Sequence, residues 1–437
     1  MVAGLLVVWN PKVEFMPQQE LDELQLKLLK TMVYRLYNFS IFYKERMKAA
    51  NVTPDDIHTL ADVTKLPFMT KKDLREFYPD RLFTVPRREI VRYHASSGTT
   101  GKPTIVAYTR SDIEMWSESL ARALSSIGLG PDDVVQVANT YGLFTGGLGF
   151  HYAAEKIGAA VVPACTGNTE RQIQMIQDLG VTAMAATPSY MMYLGEVADK
   201  MGVSIKDTTL KYGLLGAEPW SDKMRDRIQE WLGVTGINCF GASELSGPLW
   251  SECDHQCGIH IWRDICLLEI IDPDTGEQVG PGERGEMVLT MLQKEAFPIV
   301  RYRMGDITTM ETEKCACGRT HPRISRITGR VDDMLIIRGI NVFPSQVEYC
   351  LHTNPEVGNE FQILVDRKGY MDEMMVKVEL KPEAFTDNII ELNALRERIG
   401  SRLKSSLNVG AKVELVAPGT LPRFEGKAKR VVDRREI

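Results

Sequence analysis

A basic excess is the first thing this sequence lacks. Its 437 residues carry 52 Lys and Arg against 58 Asp and Glu, a net charge of −6. No long basic run appears before the last few residues, so no nucleic-acid partner is expected. Long apolar runs are absent as well. Ala3 to Trp9 is apolar but far too short to span a bilayer, has no basic start and leads to no clear cleavage site. No membrane partner is expected, and the reading is a cytoplasmic protein. Cysteine is sparse at eight residues, too few in so long a chain for a disulfide scaffold. In a reducing compartment, clustered cysteines point to a metal and lone ones to core packing. Internal repeats and low-complexity segments are missing too.

What is present is a composition of 44% hydrophobic and 25% charged residues, which at this length buries a large core and suggests more than one domain. One stretch stands out: Ser96-Ser97-Gly98-Thr99-Thr100-Gly101-Lys102-Pro103. Apolar, strand-like runs flank it, Ile90 to Tyr93 before and Thr104 to Tyr108 after. Strand, loop and strand read as a hairpin with a ligand-facing tip. Hydroxyls, free backbone N–H groups and the Lys102 ammonium suit phosphate oxygens. The stretch is not a Walker A loop: Ser96 stands where that motif needs glycine, and Pro103 where it needs Ser or Thr.

Strands and helices then alternate. Strands are predicted at Val134 to Ala138, Ala159 to Pro163, Ala183 to Pro188 and Leu210 to Leu215, with helices at Ser111 to Ile127, Phe150 to Ile157, Thr169 to Asp178, Tyr190 to Met201 and Ser221 to Leu232. This rhythm implies βαβ units, an α/β class and a largely parallel sheet covered by helices. Before it, Glu20 to Ala50 reads as a helix or helix pair. After about residue 262, short strands at Leu267 to Ile271, Gly285 to Thr290 and Ile299 to Arg303 suggest a small β subdomain. Beyond Arg330 the order strand, helix, strand, strand, helix, strand suggests an α+β C-terminal domain.

Several turns present chemistry. Phe240-Gly241-Ala242-Ser243-Glu244 ends a strand and offers a carboxylate, which beside a triphosphate is most useful to Mg²⁺; alone, Glu244 reads as well as a surface side chain. Asp306, after Arg301 to Gly305, can accept two hydrogen bonds from a ribose diol; alone, it reads better as a turn cap. Gly216-Ala217-Glu218-Pro219 follows a strand and is weak evidence by itself. Tyr141, Phe144, Gly146 and Gly147 lie in a Gly- and aromatic-rich segment that could line an apolar pocket, or simply start a helix. Cys315-Ala316-Cys317, with Cys253, His255, Cys257 and His260 upstream, can close a tetrahedral zinc site. Cys253, His260, Cys315 and Cys317 are favoured, His255 and Cys257 compete, and reduced cysteines without metal remain open. Cys165, Cys239, Cys266 and Cys350 sit in apolar surroundings and read as core.

Together these segments resemble the adenylate-forming enzymes (acyl-CoA synthetases, adenylation domains, luciferases), and Tyr93 to Thr104 resembles the phenylacetate–CoA ligase branch. The resemblance runs in order from Ser96 to Lys427. It implies that Ser96 to Lys102 hold phosphates, that Gly216 to Pro219 lie against adenine, that Phe240 to Glu244 form the Tyr-Gly-x-x-Glu motif with phenylalanine for tyrosine, and that Asp306 binds ribose. Gly329-Arg330-Val331-Asp332-Asp333 resembles the family's interdomain linker, with Arg330 on the nucleotide, Asp332 as hinge and Gly339 beside the pantetheine of CoA. Leu421 to Arg430 resembles the C-terminal Gly-Lys motif, making Lys427 catalytic and Lys429 a decoy. Tyr141 to Gly149 resembles the aryl-pocket segment. The implied domains are 1–330, for ATP, acid and zinc, and a mobile 331–437. The implied chemistry uses ATP, Mg²⁺ and coenzyme A to convert an aryl acid to its thioester through an acyl adenylate. Two other activities stay open: an AMP transferase acting on a deazaflavin, and a silent nucleotide-binding regulator. A homodimer also stays open, and the apolar Met1 to Val8 leaves a later start possible.

Overall fold

The computed structural model describes residues 8–77, 80–95, 104–311, 313–331, 335–337, 340–368, 371–386, 388–407, 409–424 and 428–435. It divides into two compact units: Met1–Cys165, Leu179–Ala185 and Ile237–Arg326 form one, and Thr166–Asp178, Ala186–Gly236 and Ile327–Ile437 the other. Among the described residues no helix is long and apolar enough to cross a membrane.

In the first unit, the predicted N-terminal helix pair is Gln18–Phe39 and Ile41–Ala49. Ser40 divides them and caps the second, its hydroxyl accepting from Tyr43 N–H at 3.4 Å. The strand Val134–Val137 pairs in parallel with Ala160–Val162 and Ala183–Ala186. This is the βαβ pattern expected from three apolar runs separated by helical periodicity. The helix Arg110–Ser125 is buried along most of its length. Its Thr109 and Asp112 form a capping box, Asp112 accepting from Thr109 N–H at 2.8 Å and Thr109 from Asp112 N–H at 3.1 Å. Because it is enclosed, three of its polar side chains reach partners on other elements of the protein. Trp116 donates to the Pro248 carbonyl at 2.9 Å, Ser119 to that of Leu249 at 2.6 Å, and Arg122 pairs with Asp264.

The small β part is antiparallel: Cys266–Ile271, Arg284–Met291 and Tyr302–Glu311 lie side by side, then Arg323–Ile324 and Ile259–His260. The expected strand over 299–303 begins only at Tyr302. Arg301 has φ +42 and turns its guanidinium inward to Glu269, at 2.8 and 3.1 Å, and to the carbonyls of Thr64 and Leu66. The buried ion pair outweighs β propensity at that residue.

The second unit holds Tyr212–Gly216, the helices Thr169–Asp178, Pro188–Lys200 and Asp222–Leu232, and the C-terminal α+β layer. There Lys412–Val416, Met371–Leu380, Val357–Lys368 and Val431–Asp433 make a four-stranded sheet, antiparallel in the centre and parallel at both edges. Helices Pro344–His352 and Ile389–Leu407 bury Val347, Leu351, Ile399 and Leu403 with Ile363, Val376 and Val378 of the sheet. Before the first helix the single strand expected from the sequence is an antiparallel pair, Leu335–Ile337 with Ile340–Val342.

His352 ends one of these helices with its side chain 1% exposed. Neither ring nitrogen has a hydrogen-bond partner. Burial, with Arg227 and Arg430 nearby, pushes its pKa down to about 3. The folded protein thus holds a neutral imidazole that the unfolded chain protonates below about 6.5. Stability is full above that pH and declines as pH falls toward 3. At pH 5 the loss is about 2 kcal/mol. His352→Leu should narrow the gap between denaturant midpoints measured at pH 7.5 and pH 5; an unchanged gap would refute this.

Candidate functional site

The hairpin Arg92–Ala95/Ile105–Tyr108 forms as expected, with Arg92 opposite Tyr108 and Ala95 opposite Ile105. Its tip, Ser96 to Lys102, lies outside the described residues, as do Asp332, Gly339 and Lys427. The strands show where the tip is rooted. Ala95 N–H and His94 Nδ1 both meet the Leu143 carbonyl, at 2.9 and 3.1 Å, so the aromatic segment 141–149 is fastened to the hairpin strand Arg92–Ala95. Within that segment Phe144 is exposed, whereas the Tyr141 hydroxyl lies 3.2 Å from His151 Nδ1 and burial pushes its pKa up. Gly146 and Gly147 open the helix Gly146–Lys156, and a Cβ on Gly147 would come within 2.8 Å of the Thr140 carbonyl.

The turn after strand Thr235–Ala242 is tight. A Cβ on Gly241 would lie 1.8 Å from the Gly247 carbonyl oxygen, and Gly247 itself has φ +98. Phe240 stacks on Trp250, with ring centroids 6.2 Å apart. Ser243 is held from two sides: its carbonyl accepts from the Tyr108 hydroxyl at 3.2 Å and its hydroxyl lies 3.4 Å from that of Thr145. Glu244 is buried, and its carbonyl accepts from Lys294 Nζ at 2.6 Å.

Lys294, Asp112 and Tyr108 are residues that sequence reasoning missed. Lys294 is 1% exposed and lies 5.0 Å from the centre of the Tyr108 ring. Burial pushes its pKa down to about 7, against the opposing pull of Asp112 and Glu244. Asp112 anchors the next residues, accepting from Glu295 N–H at 2.5 Å and Ala296 N–H at 3.0 Å. One buried network therefore ties the hairpin strand Ile105–Tyr108, the following helix and the Ser243-Glu244 turn together. The available signal was a charged Lys294-Glu295 pair inside the apolar stretch 287–300.

Asp306 is buried in the strand Tyr302–Glu311, and Arg330 is half-buried in Gly329–Arg330. In the second unit, Ala217 has φ +70, and the Glu218 carboxylate accepts from Ser189 N–H at 2.8 Å and Ala428 N–H at 3.0 Å. Lys429 is exposed.

The favoured cysteine–histidine set comes together. The donor atoms of Cys253, His260, Cys315 and Cys317 all lie within 4.8 Å of one another, and all four residues are buried. Cys253 Sγ is 3.6 Å from Cys315 Sγ, and Cys317 Sγ is 3.6 Å from His260 Nε2. A tetrahedron with Zn–S bonds of about 2.3 Å has edges of about 3.7 Å, so the set fits zinc. The hydrogen bond from the Cys253 thiol, against burial and with His260 beside it, pulls the Cys317 pKa below the usual thiol range. Of the competitors, His255 points to solvent beside Asp254, whereas Cys257 is exposed but brings its sulfur to 3.4 Å from Cys315. Cys239, Cys266 and Cys350 are buried as expected, and Cys165 is partly exposed.

The family model for AMP-binding enzymes matches residues 47–291, and that for the AMP-binding enzyme C-terminal domain matches 339–435. The chain is 45% identical to the phenylacetate–coenzyme A ligase of Thermus thermophilus, over 98% of this chain and 100% of the relative. It is 42% identical to that of Escherichia coli, over 97% of each. Its fold matches a solved 2-hydroxyisobutyryl-CoA ligase in the postadenylation state with TM-score 0.93 and 31% identity, covering 100% of this chain and 94% of that one. Against the same ligase in its thioesterification state the TM-score is 0.71 at 32% identity, over 98% and 92%. With the hairpin, the Glu244 turn and the C-terminal layer in place, the chain belongs to the adenylate-forming AMP-binding enzymes, in their phenylacetate–coenzyme A ligase branch.

Proposed function

We propose that this chain activates an aryl acid, phenylacetate or a close analogue, with ATP and transfers the acyl group to coenzyme A in the cytoplasm. The near-full-length likeness to phenylacetate–coenzyme A ligases carries this reading. The acid carboxylate attacks the α-phosphorus, pyrophosphate leaves, and the acyl adenylate then meets the CoA thiol. Ser96 to Lys102 hold the phosphates, Gly216 to Pro219 the adenine, Asp306 the ribose and Arg330 the nucleotide. Glu244 would hold magnesium, which would supply charge neutralisation at the phosphates. The chain's own contribution at that point is the Lys294 and Tyr108 network, which fixes the main chain on either side of the Ser243–Glu244 peptide. Tyr141, Phe144, Gly146 and Gly147 line the aryl pocket. Lys427, on a domain 331–437 that turns about Asp332, stabilises the charge developing at phosphorus, and Gly339 lies along the CoA path. Zinc bound by Cys253, His260, Cys315 and Cys317 would be structural.

Mass spectrometry of products after incubation with ATP, Mg²⁺, CoA and a panel of aryl and alkyl acids tests the reading. A phenylacetyl- or related aryl-CoA with equimolar AMP is expected. AMP without thioester would point instead to another acceptor such as a deazaflavin, and no ATP consumption on the whole panel would favour a silent nucleotide-binding regulator.

A further inference from the structure

Glu218 does more than border a turn. Ala217, in the left-handed conformation at φ +70, sends the next side chain toward the start of the helix Pro188–Lys200. There Oε1 accepts from Ser189 N–H at 2.8 Å. The first N–H groups of a helix have no partner within it, and the helix dipole favours an anion at that end. One oxygen of Glu218 is thereby fixed. The other, Oε2, accepts from Ala428 N–H at 3.0 Å, two hundred residues away and next in sequence after Lys427.

Neighbouring contacts in the same unit are of another kind. Glu196, on the same helix, accepts from Asn359 Nδ2 at 3.0 Å and lies 3.5 Å from Arg423 Nε. Arg227 donates to the carbonyls of Val357 and Gly358 at 2.8 and 3.1 Å. Arg423 is in turn held by Glu379 at 2.5 and 2.9 Å, and Arg430 pairs with Glu360. Those contacts grip the body of the C-terminal layer and the two ends of the segment 423–430. Glu218 alone among them grips main chain between the ends.

We propose that Glu218 is a positioning residue for Lys427, its carboxylate holding the adjoining main chain while the acid is activated and releasing it before the thioester forms. The inference rests on the ligase reading. It deepens that reading by giving the carboxylate, rather than the backbone, of the Gly216 to Pro219 turn a task. Because the donor is a backbone N–H, the contact fixes where the chain lies whatever side chain stands at 428. A charge-assisted hydrogen bond of this sort is worth about 10–100-fold in a rate that depends on it.

The test separates the half-reactions of the full-length enzyme. Adenylation is read as pyrophosphate release with phenylacetate and ATP, and thioester formation as conversion of supplied phenylacetyl adenylate with CoA. Glu218→Gln should slow the first about 10–100-fold through its maximal rate, a much larger fall than in the second, which shares the adenine turn. Ala428→Pro removes the donor without touching the helix and should give the same split. The double variant should be no slower than the slower single variant. An equal fall in both half-reactions would mark a merely structural role. A change confined to KM for ATP would assign the carboxylate to nucleotide binding. Either result, or full-speed adenylation in both variants, overturns the proposal. A wild-type enzyme that forms neither adenylate nor thioester would instead overturn the ligase reading.

Discussion

Replacing Lys427 with alanine is expected to lower acyl-adenylate formation by roughly 10²–10³-fold, the effect of removing one preorganised donor from a site of developing charge. As the carboxylate attacks, negative charge accumulates on the α-phosphate oxygens and must be met by a cation already in place. Few other cations qualify. Lys294 is committed to the Glu244 carbonyl in the protein interior, and Lys429 is exposed. The second half-reaction needs no such cation, because the thiol attacks a carbonyl whose leaving group, AMP, is already activated. Lys427→Ala should therefore convert supplied phenylacetyl adenylate to phenylacetyl-CoA at close to the wild-type rate. Rapid-quench assays of each half-reaction check this. Adenylation surviving in the variant would remove Lys427 from its proposed role.

The second large effect concerns metal. Purified protein is expected to carry one zinc per chain, and Cys317→Ser to weaken its hold by more than the ~10–100-fold that loss of an outer hydrogen-bond partner costs. The physical case is the chemistry of the four donors. Three sulfurs and a nitrogen within 4.8 Å, buried together, would repel one another once the sulfurs are ionised. A divalent cation bound among them supplies the missing compensation. It would also fasten the loop bearing Cys315 and Cys317 to the strand Ile259–His260. Elemental analysis and limited proteolysis of the 253–321 region supply the readout. Cys257→Ser serves as the control and should retain zinc, since Cys257 is exposed. Stoichiometric metal in Cys317→Ser would defeat the assignment.

Much of the fold could be read along the chain because its signals are local. Three short apolar runs at 134, 160 and 183, each separated by helical spacing, read as buried strands with crossing helices. The Cys253/His260/Cys315/Cys317 set was legible because metal chemistry narrows the residue types so sharply. What escaped reading is tertiary. Nothing near Arg301 announces that its partner is Glu269, so the strand start was placed early. Lys294 reads as an ordinary surface charge until the fold closes Tyr108 and Glu244 around it. Glu218 reads as a turn residue because its two partners lie 29 and 210 positions away. Propensity and spacing carry no information at that range.

The parallel pairing of Val431–Asp433 with Val357–Lys368 has a consequence for synthesis on the ribosome. Strand pairing between segments so far apart must wait until the later one has emerged. The segment that bears Lys427 lies just before that last strand, between the Arg423–Glu379 and Arg430–Glu360 pairs. The unit with the Glu244 turn ends at Arg326, so its chain is complete about a hundred residues earlier. A nascent chain can thus shape the unit with the Glu244 turn well before the strand Val431–Asp433 has emerged to pair.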